Sequence, residues 1–305
     1  MSEHITHVAV YDDTVRFIQY YDRFTKAFKE CTEKAFDSGW IASGSNGNHL
    51  WAVPLLQENR EKYLAGDRSR DTLRKIAAAI GWITHRAADL VVKPILGNVI
   101  FENHPVFNAQ EQSSYYDSVA FREVFKGGKY NPNQLQPMSR ATLEQNMLSH
   151  PAAVTLDVKG LETAFSHFYL GEALNNHEFV TQQDNFDKWF DQFMANKQKF
   201  SEDLDMYIEG FCEPVKEKVE KYITNFRYYN ANDQIVKLVR SIQNGNPDRS
   251  ISLDVAMDAA NCQSAYSRML QISCTMVTYA SNYFDGKIDK SSLYDVLNMH
   301  GSERK

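Results

Sequence analysis

Glycine and proline are scarce. The chain has 305 residues but only 14 glycines and 8 prolines, about 4.6% and 2.6% where about 7% and 5% are usual. A chain with few turn-makers spends its length in long elements, and helices are the long elements available. Long apolar runs are missing as well. No stretch approaches 18 uninterrupted apolar residues, and the opening MSEHITHVAVYDD has neither a basic region nor an apolar core of the signal-peptide kind, so the sequence reads as soluble and cytoplasmic. Cysteine is limited to Cys31, Cys212, Cys262 and Cys274, with no CxxC pair, and these read as buried free thiols. Positive charge is in deficit, 33 Lys and Arg against 39 Asp and Glu for a net charge of −6. That balance argues against nucleic-acid backbones and anionic membrane surfaces as main partners. A hydrophobic content of 43% with 24% charged residues excludes a disordered or collagen-like chain.

Histidine is what the sequence does have. Nine are present, and five of them, His4, His7, His49, His85 and His104, fall before residue 105.

Hydrophobic spacing predicts about ten helices in an all-α, multi-helix bundle. The first covers 12–36, with acids at its front where the helix dipole favours them. Residues 37–54 carry clustered Gly, Ser and Asn and read as an irregular loop ending at His49. A helix over 69–93 follows, capped by Ser69 and stopped by Pro94. Its apolar run from Ile76 to Ile83 makes it central. Further helices are expected over 111–125, 139–149, 157–177, 183–198, 201–229, 231–244, 252–284 and 289–298, with Ser252 as a start signal and Pro214 kinking or dividing the 201–229 segment. The glycine turn from Lys126 to Lys129 lacks the full spacing of a phosphate-binding loop. Residues 1–130 are expected to form a helical core and 131–305 a helical extension packed on it as one unit, with a soft boundary near 130–138.

The sharpest local pattern is Gly81-x-x-x-His85-x-x-x-Asp89. Four residues turn a helix by about 400°, so His85 and Asp89 share a face one turn apart, and Gly81 leaves space beside them. An imidazole and a carboxylate so placed can share a divalent cation such as zinc, or make a plain hydrogen bond or ion pair along the helix. A carboxylate on so apolar a helix is costly unless paired or bound to a cation. His7, just before the first helix, and His49, at the end of the glycine-rich loop, could complete a ligand set that one helix cannot provide. Each is also readable as ordinary, His7 as solvated and His49 as a loop anchor.

Thr6-His7 ahead of the first helix, then the glycine-rich loop, then Gly81, His85, Asp89 and Pro94 resemble the zinc-dependent phospholipase C family, whose all-helical fold is shared with zinc-dependent single-strand nucleases. The resemblance covers about residues 4–125 and places a phospholipase C-like core in the N-terminal half. It implies His7, His49, His85 and Asp89 as metal ligands and zinc, or another divalent metal, as cofactor. It also implies hydrolysis of a small phosphoester or phospholipid-like substrate, zinc polarising a phosphoryl oxygen and acidifying a bound water, with Asp89 serving as general base.

The sequence departs from that pattern in two places. Lys93 stands where the family carries a histidine before the proline, and residues 110–117 lack the family's His-x-x-x-Glu pair. The metal site is therefore expected to be reduced. Lys93 either supplies positive charge where a metal would sit or is a helix-end cation complementing the dipole. Glu111 and Asp117 remain candidate ligands, and His104 a substitute. The alternative of a different class is a catalytically inactive helical ligand-binding or structural protein on the same scaffold.

Overall fold

The shortage of turn residues is matched by the architecture. The computed structural model describes residues 4–44, 49–101, 109–125, 206 and 209–298, and every regular element among them is helical, with no strand. The expected helices at 139–149, 157–177 and 183–198, the glycine turn at 126–129, His104 and the boundary near 130–138 lie outside the described residues.

Helix α1 (His4–Tyr20) and helix α2 (Lys26–Lys34) replace the single helix expected over 12–36. The break falls where Thr25 turns to cap α2, its hydroxyl accepting from the Ala27 N–H and its own N–H donating to Ser281 Oγ at 2.7 Å. The glycine-rich segment is mostly helix rather than loop: α3 (Phe36–Gly44) and α4 (His49–Leu64) flank residues 45–48. The local composition favours turns, but Gly39 is used for close approach. A Cβ there would stand 2.1 Å from Tyr11 Oη and 2.7 Å from the Ala77 carbonyl oxygen.

Gly66, at a φ of +96°, ends α4. Asp67 then accepts from Ser69 N–H and Thr72 Oγ1, and the Ser69 hydroxyl accepts from Thr72 N–H, so α5 (Arg70–Phe101) starts at a satisfied cap. It runs on through Pro94, which was expected to stop it. At 32 residues it is about 48 Å long at about 1.5 Å per residue. Residues Ile76–Ile80, Trp82 and Ile83 are fully buried or nearly so, because α1, α2, α3 and α4 all pack on this helix.

Helix α6 (Ala109–Phe125) lies against α1. Pro214 divides the expected 201–229 helix: residues 209–212 are helical, and α7 (Lys216–Val219) begins beyond the proline and passes into one π-helical turn, Glu220–Thr224. After α8 (Gln234–Gln243), Ser252 caps α9 (Leu253–Ala260). The long helix expected over 252–284 stops there. Ser264 opens a separate helix, α10 (Ala265–Phe284), its hydroxyl accepting from the Ser267 N–H. Cys262 sits exposed in the gap, whereas Cys31, Cys212 and Cys274 are buried thiols. Helix α10 packs along α5 and α1, and α11 (Lys290–Asn298) packs on α10 and α4. One hydrophobic core therefore runs through both ends of the described chain. In it Phe284 meets Phe28 and Tyr63 edge-on, each at 5.5 Å between centroids. Burying one such ring contributes about 1.5–3 kcal/mol.

A polar knot interrupts this core. Asp13, fully buried in the middle of α1, accepts from Arg16 at 2.7 Å, from Tyr266 Oη at 2.9 Å and from Arg240 of α8. These acids are not helix-front residues complementing a dipole, because α1 starts eight residues earlier than expected.

Candidate metal centre

His7 enters the site from the first turn of α1 rather than from a segment before it. The first N–H groups of a helix have no partner within it, and here one of them is held from afar. Thr6 donates both its backbone N–H and its hydroxyl to Asp117 Oδ1 on α6, each at 2.8 Å, and the same hydroxyl lies 2.9 Å from Tyr228 Oη. Tyr228 is stacked flat on Tyr116 at 4.0 Å. The residue beside His7 is therefore fixed to a buried, rigid wall, and Asp117 acts there as an anchor rather than as a metal ligand. Glu111, the other acid considered, pairs with Lys218 and with Tyr222 Oη.

His85 and Asp89 enter one turn apart on α5. His85 Nδ1 lies 2.8 Å from the Ser43 carbonyl oxygen in the last turn of α3, where helix carbonyls lack internal partners. A carbonyl only accepts, so Nδ1 carries the proton and donates it. That leaves Nε2 to face Asp89 Oδ2 at 3.5 Å, while His7 Nε2 faces Asp89 Oδ1 at 3.2 Å. The two imidazole rings are stacked, with centroids 4.1 Å apart and planes 23° from parallel. All three residues are buried, and one ligand atom from each lies within 4.8 Å of the others.

Gly81 does not leave open space beside this pair. Its missing side chain is taken up by α3: a Cβ would stand 2.1 Å from the Gly39 carbonyl oxygen. This backbone-to-backbone crossing brings the Ser43 carbonyl within reach of His85.

Charge is concentrated on Asp89. Burial alone would raise its pKa, but hydrogen bonds and charge from His7 and His85 outweigh burial and hold the carboxyl well below the usual carboxylate range. Lys93, one turn further along α5, also places its ammonium on Asp89 Oδ2.

The donor set suits a transition-metal ion. With Nδ1 protonated, a neutral His85 would set an Nε2 lone pair against a carboxylate oxygen, and either a proton on Nε2 or a cation between the two relieves that opposition. A histidine whose other ring nitrogen donates to a backbone carbonyl is the usual supporting arrangement of a metal ligand. Ligand atoms around a tetrahedral ion with bonds of about 2.0–2.1 Å stand about 3.3 Å apart, close to the two histidine-to-carboxylate separations. The ring stack must change, since one imidazole has to turn for both nitrogens to address a common point, and the Lys93 ammonium already occupies Asp89 Oδ2. Two imidazoles and a carboxylate also suit manganese, iron, cobalt and nickel, so the ligands do not single out zinc.

Of the four residues expected as ligands, His7, His85 and Asp89 come together. His49 is the first residue of α4, not the end of a loop, and its side chain lies outside the described residues. Two supports have no counterpart in the sequence reading: the Ser43 carbonyl, which no side-chain motif announces, and the Thr6–Asp117 contact, whose partners are 111 positions apart.

No family model, no curated protein and no solved structure matches this chain. Among the described residues, no helix is long and apolar enough to cross a membrane.

Proposed function

We propose that His7, His85 and Asp89 hold one divalent metal ion, with zinc the first candidate, and that the chain is a metal-dependent phosphoester hydrolase of the zinc-dependent phospholipase C type with a reduced metal site. The observation that supports this reading is the convergence of His7 on His85 and Asp89 from a separate helix, 78 residues away in the chain. Bound in such a site, a divalent ion supplies Lewis acidity toward a phosphoryl oxygen and lowers the pKa of water.

The protein's own groups divide the work. His7 and His85 bind through Nε2, and the Ser43 carbonyl holds His85 in the tautomer that leaves Nε2 available. Asp89 binds and neutralises. In this reading it is a ligand first, facing both histidines. Lys93, half exposed at the rim, adds positive charge suited to an anionic phosphoester.

A second reading, a helical binding or structural protein without catalysis, is favoured by one observation. The Lys93 ammonium already neutralises Asp89, so the buried charge is balanced with no ion. Elemental analysis of the protein purified without chelators, native and His85→Ala, separates the two. About one metal per native chain, lost in the variant, supports the first reading. Turnover of a phosphodiester or phosphomonoester panel that a chelator abolishes then supports hydrolysis, whereas stoichiometric metal without turnover moves the assignment to binding. No stoichiometric metal in the native protein defeats the metalloenzyme reading.

A further inference from the structure

The two oxygens of Asp89 are not equivalent. Oδ1 faces His7, whereas Oδ2 faces His85 Nε2 at 3.5 Å and also takes the Lys93 ammonium. An ion held between Oδ2 and His85 would claim the lone pairs that Lys93 uses, and two cations on one oxygen repel. The two partners of that ion pair also differ in access to water. The Lys93 side chain is 47% exposed and the Asp89 side chain 11%. A lysine can leave its stem on apolar surface and swing its head into solvent, while the carboxylate stays in place.

We propose that Lys93 is the resident counter-cation of Asp89 and the residue that sets the affinity of the metal site, leaving Oδ2 for solvent when a divalent ion enters. The inference rests on the metal-site reading above and deepens it: the site exchanges an ammonium for a metal instead of filling a vacant cage. Two consequences follow from the geometry. The chain folds without metal, because the buried carboxylate always has a cation beside it. The metal binds more weakly than the same three ligands would hold it without the lysine.

The test uses the full chain and zinc alone, with dissociation constants from competition with a chromogenic chelator for the native protein, Lys93→Met and Lys93→Arg. Lys93→Met should bind zinc about tenfold or more tightly than native, and Lys93→Arg, which keeps a cation in place, should stay near native. Zinc-free Lys93→Met should melt below native and recover when zinc is added; Lys93→Gln serves if the methionine variant does not fold. Equal zinc affinity in native and Lys93→Met overturns the inference and leaves the metal site standing. Failure of every variant to bind zinc overturns the metal-site reading, and the inference with it.

Discussion

Replacing Gly81 by alanine probes the crossing on which the site is built. The added Cβ would stand 2.1 Å from the Gly39 carbonyl oxygen, 2.9 Å from the Gly39 carbonyl carbon and 3.0 Å from Ala42 Cβ, where ordinary contact begins at 3.4 Å. The nearest of these are backbone atoms of α3, so no side chain can swing aside, and the two helices must separate by about 1 Å. Overpacking of this kind costs about 1–3 kcal/mol, and a backbone clash belongs at the upper end. Alanine returns about 1 kcal/mol through its higher helix propensity, which leaves a net loss near 2 kcal/mol by the same scales. Separation of α3 from α5 also draws the Ser43 carbonyl away from His85 Nδ1, so the variant should lose metal affinity as well as stability. Gly44→Ala is the control, because among the described residues its Cβ would meet the end of a side chain, Val8 Cγ1 at 3.3 Å, and no backbone of another helix. Urea unfolding followed by circular dichroism should show a lower midpoint for Gly81→Ala at unchanged slope, with Gly44→Ala close to native. A Gly81→Ala protein as stable as native would refute the close crossing and the account of how His85 is held.

Three further perturbations test buried polar groups of the fold. Burial pushes the Glu123 carboxyl up to about 7 from its ordinary 4.5, against the lowering influence of Tyr229 and Arg240. Because the folded value is the raised one, this group's contribution is complete below about pH 4.5 and is lost as pH rises through 7; Glu123→Gln should abolish that part of the decline in stability measured from pH 4.5 to 8. Arg240→Met leaves the buried Asp13 carboxylate with Arg16 and Tyr266 as partners, removes one hydrogen bond between charged groups, and should cost about 1.5–3 kcal/mol in urea unfolding, while a loss under about 1 kcal/mol would show the pair to be solvated. Asp117→Ala removes the acceptor of both Thr6 donors and should weaken zinc binding by loosening His7, with no change expected if Asp117 is unrelated to the site.

How much of this was readable in advance differs from element to element. The central position of α5 followed from the all-round apolar run at Ile76–Ile83, since such a face cannot be left in water. His85 and Asp89 could be paired because four residues on a helix fix a shared face whatever surrounds it. His7 was legible as an early histidine able to complete a ligand set and as a ligand position of the family resembled, but nothing local ties it to a helix 78 residues away. The segment at 37–54 was misread because glycine, serine and asparagine signal turns when nothing packs on them. At Gly39 and Gly81 the missing side chains instead admit a neighbouring helix backbone, a tertiary demand that overrides local preference. Pro94 was read as a stop, yet α5 continues past it. Lys93 was legible as a cation one turn beyond Asp89, but its claim on Oδ2 depends on how deeply that carboxylate is buried.

The central claim is that His7, His85 and Asp89 share one metal ion. An anomalous difference map from crystals of the full chain grown with zinc tests it most directly. The account predicts a single strong peak bonded to His7 Nε2, His85 Nε2 and an Asp89 oxygen, with the Lys93 ammonium withdrawn from Oδ2. A map with no peak among these three side chains, and Lys93 still seated on Asp89, would contradict it.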